Sequence, residues 1–71
     1  MSGDDIRITV DGLEHRVPGQ VTVQEVLELL GEQIGHALIE LNGRYLPPAR
    51  YPTTRLSTGD RLEVIYPAFG G

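Results

Sequence analysis

The 71-residue sequence contains no cysteine and no lysine. Without thiols there can be no disulfide framework, thiolate metal site, cysteine nucleophile or persulfide carried on a side chain. Without lysine the chain has no ε-amine through which copies of itself could be linked, as a polymerising tag requires. Long apolar runs are missing too. None approaches the ~20 residues needed to span a bilayer, and Met1-Ser2-Gly3-Asp4-Asp5 lacks the basic and apolar regions of a secretion signal. The expectation is a soluble, cytoplasmic protein with no membrane partner. Positive charge is sparse: Arg7, Arg16, Arg44, Arg50, Arg55 and Arg61 are scattered among ten acids, for a net charge of −4. A phosphate-tracking surface needs clustered cations, so nucleic acid is not an expected ligand.

A domain this small buries only about 60% of its unfolded surface, so one sheet under one covering helix is the economical solution. Ile6, Ile8 and Val10 alternate with Arg7 and Thr9, the period of a half-buried strand over Asp5 to Val10. Asp11-Gly12 is a tight-turn pair. Leu13 to Val17 returns as a second strand, with Leu13, His15 and Val17 on one side and Pro18-Gly19 breaking it. Thr22-Val23-Gln24-Glu25 has the form of a capping box, and Val23, Val26, Leu27 and Leu30 make a single apolar stripe that Gly31 stops. Glu25, Glu28 and Glu32 give that helix an acidic outer face, and Glu32 to Gly35 is a short connection.

Ala37 to Leu41 reads as a largely buried strand closed by Asn42-Gly43, and Arg44-Tyr45-Leu46 as a short return that Pro47-Pro48 ends. Ala49 to Ser57 carries no regular pattern and tucks Leu56 and Tyr51 beneath it. Thr58-Gly59-Asp60 then turns into the strongest strand, Arg61 to Tyr66, with Leu62, Val64 and Tyr66 on one face. A helix following the first hairpin covers one face of a mixed sheet, with the first and last long strands parallel at its centre. The fold class is therefore α+β, a β-grasp with a mixed sheet of four to five strands covered by one helix. It spans residues 1–66 as a single domain, with a flexible C-terminal tail at 67–71.

That tail, Tyr66-Pro67-Ala68-Phe69-Gly70-Gly71, runs off a central strand and stops on two glycines. Glycine lacks a Cβ and is costly to order, so the pair is a poor structural lock and a good thread for a narrow tunnel. A terminal α-carboxylate is ionised at neutral pH and can attack phosphorus. With no side chain on Gly71, its carbonyl carbon is open to a later nucleophile. The plainer account is a frayed, solvated terminus. Two apolar residues break the sheet's alternation: Ile65 on the face that Arg61 and Glu63 assign to solvent, and Leu38 beside Glu40. Edge packing is the simpler account of Leu38. Alternatively, Ile65 and Leu38 join Phe69 in a partner-docking patch on the uncovered face.

Taken together, the hairpin, the helix Thr22-Val23-Gln24-Glu25-Val26-Leu27-Glu28-Leu29-Leu30, Glu40-Leu41-Asn42-Gly43 with its following proline, Thr54-Arg55-Leu56, Gly59-Asp60-Arg61-Leu62 and Gly70-Gly71 resemble the ubiquitin-like sulfur carrier proteins of prokaryotes. The resemblance spans almost the whole length and is closest to the thiamine-pathway ThiS carriers. It implies that an E1-like adenylyltransferase of the ThiF/MoeB kind uses ATP to join the Gly71 carboxylate to AMP. A persulfide from a cysteine desulfurase or sulfurtransferase then displaces AMP, leaving a thiocarboxylate on Gly71, and the sulfur passes to an acceptor synthase resembling thiazole synthase. Gly70 and Phe69 would thread the partner's tunnel. Such a protein binds no cofactor of its own and is a carried substrate rather than an enzyme. The proline in Tyr66-Pro67 looks more like the molybdopterin synthase small subunit, and carriers serving cysteine, homocysteine or secondary metabolites share the same body.

A ubiquitin-like modifier, ending in an isopeptide bond, and a plain interaction module are the alternatives of another class. His15 and His36 lie on either side of the helix without ligand or triad spacing, which leaves no catalytic or metal residue to name. Asp60 is expected to bond local amides and Arg55 to pair with a nearby acid.

Overall fold

The alternating apolar residues of β1 (Asp5–Val10) and β2 (Leu13–Pro18) pair antiparallel from Asp5 opposite Pro18 to Val10 opposite Leu13. They are followed by α1 (Val23–Leu29), β3 (Leu38–Leu41), β4 (Arg44–Leu46), a 3-10 helix (Pro48–Arg50) and β5 (Arg61–Ile65). The sheet order is β2-β1-β5-β3-β4. β1 and β5 run parallel at its centre, whereas β3 pairs antiparallel with both β5 and β4. This computed structural model describes residues 4–31 and 37–67. The expected mixed β-grasp sheet is thus observed, with the fifth strand present.

Helix α1 starts where its capping box closes. The Glu25 amide donates to Thr22 Oγ1 at 3.1 Å, and the Thr22 amide donates to Glu25 Oε1 at 2.9 Å. Two first-turn amides that the helix cannot satisfy find partners in the 50s segment: Val23 N donates to Thr54 O and Gln24 N to Tyr51 O. Gly31, at φ +66, supplies the left-handed residue beyond the helix. We expect Thr22→Ala to cost about 1 kcal/mol in urea denaturation. A loss below a few tenths would mean that those tertiary bonds, and not the box, define the helix start.

The stripe of α1 packs on the sheet through Val23, Val26 and Leu27, against Ile8, Ile39 and Leu62, all essentially inaccessible to solvent. Tyr51 and Leu56 are buried under the 50s segment as expected. Burial raises the Tyr51 phenol above its usual pKa of 10.0, and the neighbouring Tyr45 adds to the effect.

Several expectations need correction. The 50s segment is not wholly irregular: Pro48, its φ fixed by the ring, opens a 3-10 turn. Leu13 has the register of Val17, but it lies next to the hairpin turn and is exposed. β5 ends at Ile65, so Tyr66 does not join Leu62 and Val64 in the core and is also exposed. Among the described residues Arg55 finds no acid; its Nη1 donates to the Gln20 carbonyl at 2.6 Å. Residues 32–36, and with them His36 and the Glu32 to Gly35 connection, lie outside the described residues.

Candidate functional site

β5, the strand that leads into the tail, is held on both sides by backbone ladders and near both ends by side chains. Near its start, Asn42 N donates to Arg61 O at 2.8 Å and Asn42 Oδ1 accepts from Arg61 N at 2.9 Å. Asp60 completes this corner, its two carboxylate oxygens accepting from Ser57 N at 2.8 Å and from Asn42 Nδ2 at 3.1 Å. The expectation that Asp60 bonds local amides holds. Towards the end of the strand, Asp11 N donates to Leu62 O and Asp11 Oδ1 accepts from Val64 N, both at 2.9 Å. Asp11 and Asn42 are the first residues of the two Asx-Gly hairpin turns, at φ 52 and 55. Sequence patterning marked both dipeptides as turns and missed their bonds to β5, since a turn motif does not say which strand lies beside it.

The face of the sheet away from α1 carries the other candidates. Leu38 and Ile65 are 43% and 38% exposed and sit directly opposite each other across β3 and β5. β3 lies between β5 and β4 and is not an edge strand, so edge packing does not explain Leu38. The sequence grouped these two residues in one patch without giving their register, and the pairing places them directly opposite each other. Beside them Glu40 is opposite Glu63, with the exposed Tyr45 next to Glu40 on β4. Like charges facing across a ladder are unfavourable. The other half of this face has the same conflict and relieves it: Arg7 is opposite Arg16, but Arg7 lies 4.0 Å from Glu14 and Arg16 lies 3.7 Å from Asp5. Among the described residues no ion pair involves Glu40 or Glu63.

Phe69, Gly70 and Gly71 lie outside the described residues, as does any contribution of Phe69 to the patch. His15 is half-buried on β2, opposite Ile8. A groove of about 570 Å³ between the end of β2 and α1, lined in part by Gln20, Glu25, Leu29 and Arg55, holds none of the expected site residues. Two of its charged groups are already engaged, Arg55 on the Gln20 carbonyl and Glu25 in the capping box. Among the described residues no three His, Asp or Glu side chains come together as a metal site. No described helix is long and apolar enough to cross a membrane.

A mixed sheet with its helix on one face, a partly apolar opposite face and a central last strand leading towards a diglycine defines the class of ubiquitin-like β-grasp carriers. The sequence profile of the ThiS family matches residues 3–71, and the chain belongs to that family of sulfur carriers. Among solved structures it is similar to the thiamine biosynthesis protein ThiS of Geobacter metallireducens, with 30% identity and a TM-score of 0.82 over 93% of this chain and 100% of that one. It shares its fold with a chain in the complex of subunits 1 and 2 of the molybdopterin-converting factor of Helicobacter pylori, with 19% identity and a TM-score of 0.61 over 94% and 99% of the two chains. A search of curated proteins finds no significant match.

Proposed function

We propose that this sulfur carrier works through Gly71, whose carboxylate is adenylated by an E1-like enzyme and converted to a thiocarboxylate that donates sulfur in biosynthesis. The carboxylate attacks the α-phosphorus of ATP and pyrophosphate leaves. The terminal persulfide sulfur of a desulfurase or sulfurtransferase then attacks the acyl carbon and AMP departs, leaving an acyl disulfide between Gly71 and the donor. A thiol attacks the donor-side sulfur, forms a disulfide with it and releases the Gly71 thiocarboxylate. The chain itself contributes the acyl group, its presentation and the surface that partners hold, and the partner enzymes provide the catalysis. The observation that carries this reading is β5, clamped between two strands and followed in sequence by Gly70-Gly71. Similarity to a thiamine biosynthesis protein over nearly the whole chain favours a thiazole-forming synthase as acceptor. The Tyr66-Pro67 proline supports the molybdopterin synthase large subunit as the second reading.

The test is intact-mass spectrometry of the untagged protein incubated with ATP, an adenylyltransferase, a persulfide donor and a thiol reductant. The expected product gains the mass difference of one oxygen replaced by one sulfur. No mass change with competent partners defeats the proposal. Supplying the charged carrier to each of the two synthases then separates the acceptors.

In this reading Leu38 and Ile65 dock the adenylating enzyme, and Glu40 with Glu63 select a partner that brings an arginine or lysine beside an apolar residue. An unrelieved like-charge pair is stabilised by a cation from outside, which favours encounter with a complementary surface. We expect Glu63→Lys to stabilise the free protein by about 0.2–1 kcal/mol, because it replaces a repulsive cross-strand pair with an attractive one. The same change raises the KM of the adenylating enzyme for the carrier about tenfold. An unchanged KM alongside the stability gain removes the glutamates from the docking surface.

A further inference from the structure

The parallel ladder between β1 and β5 ends in register at Val10 opposite Leu62, yet β5 continues to Ile65. In a continued ladder the next β1 residue, Asp11, would give its N–H to Leu62 O and accept Val64 N–H on its own backbone carbonyl. The first bond is present at 2.9 Å. The second cannot be made by the backbone, because Asp11 has turned to φ 52 to open the hairpin. Its side chain substitutes: Oδ1 accepts the Val64 N–H at 2.9 Å, across 53 positions of sequence. Asn42 does the same for Arg61 on the other side of β5. Asp11, however, acts at the end from which the chain leaves the sheet, seven positions before Gly71 if counted from Val64.

We propose that Asp11 is a positioning residue for the reacting terminus: by extending the ladder with its carboxylate it fixes where and in what direction the chain leaves the sheet, and so where Gly71 is delivered. This inference rests on the reading of Gly71 as the reacting group. A thread whose root can fray at Val64 spends less time in the geometry that the adenylating enzyme needs, and misplacement by about 1 Å can cost 10²-fold in rate. Docking through the open face is left intact, so the loss falls on kcat and not on KM.

The test compares Asp11→Gly, which keeps the left-handed turn and deletes the acceptor, with Asp11→Asn, which keeps both. Asn42→Gly is the control, as it removes the same kind of bond at the far end of β5. With wild type first shown to be adenylated, we expect Asp11→Gly to speed exchange of the Val64 amide and to lower kcat for adenylation about tenfold with KM within about twofold. Asp11→Asn restores kcat to near wild type, and Asn42→Gly leaves it there. Equal kcat losses in Asp11→Gly and Asn42→Gly, equal losses in Asp11→Gly and Asp11→Asn, or wild-type kcat in Asp11→Gly despite fast Val64 exchange would each overturn the proposal. Failure of wild type to be adenylated would instead defeat the carrier mechanism itself.

Discussion

Removing Gly71 abolishes charging: the truncated protein is expected to be adenylated at least about a thousandfold more slowly than wild type, and to yield no thiocarboxylate by intact mass. The truncated chain still ends in a glycine carboxylate, that of Gly70, so the chemistry of the group is unchanged. Its reach is what changes. One residue of extended chain is about 3.3–3.6 Å, several times the ~1 Å displacement that already costs a hundredfold at a positioned reaction centre. Adding one residue after Gly71 has the same effect from the other side, because it moves the carboxylate past the phosphorus and converts the Gly71 carbonyl into an amide. Truncated protein that is charged at the wild-type rate would show that the terminus is not the working end.

The second large effect is on stability. Leu62 is inaccessible to solvent at the centre of β5, opposite Val10 on one side and Leu41 on the other. Leu62→Ala deletes its side chain where two ladders leave little room for collapse, so we expect a loss of about 2–5 kcal/mol. A chain of this length has roughly 4–11 kcal/mol of stability to begin with, so the variant should be partly or wholly unfolded at 37 °C. Ile65→Ala, three residues along the same strand on the open face, should cost less than about 1 kcal/mol. Urea denaturation of the two variants decides the matter. Similar midpoints for both would mean that β5 is not held as the core packing indicates.

The two substitutions show how the sequence encodes one side of β5 more openly than the other. Leu62 and Val64 announce their burial by alternating with Arg61 and Glu63, and the same period marks β1 and the buried part of β2. The capping box at Thr22 and the Asx-Gly turns were legible for a different reason: each is a local hydrogen-bonding or φ requirement met within four residues. Where periodicity alone was extended to a strand end it failed, as at Leu13 and Tyr66, because the covering helix does not bury the outermost rungs of the sheet.

The candidate site divides in the same way. Gly70-Gly71 and the missing thiols could be read from the chain, and the central parallel strand was inferred from it and is observed. The pairing of Leu38 with Ile65, the unrelieved Glu40–Glu63 contact and the reach of Asp11 to Val64 could not. Each depends on register between segments more than twenty residues apart in sequence. Local propensities fix which strands form and which face is apolar, whereas register is set when side chains from separate segments must share one core. The sequence by itself determined the five strands and the helix, the buried faces of their central residues and the diglycine at positions 70 and 71. Only the tertiary structure decided which residues flank β5 and hold it in place, because that is a property of strand neighbours and not of any one strand.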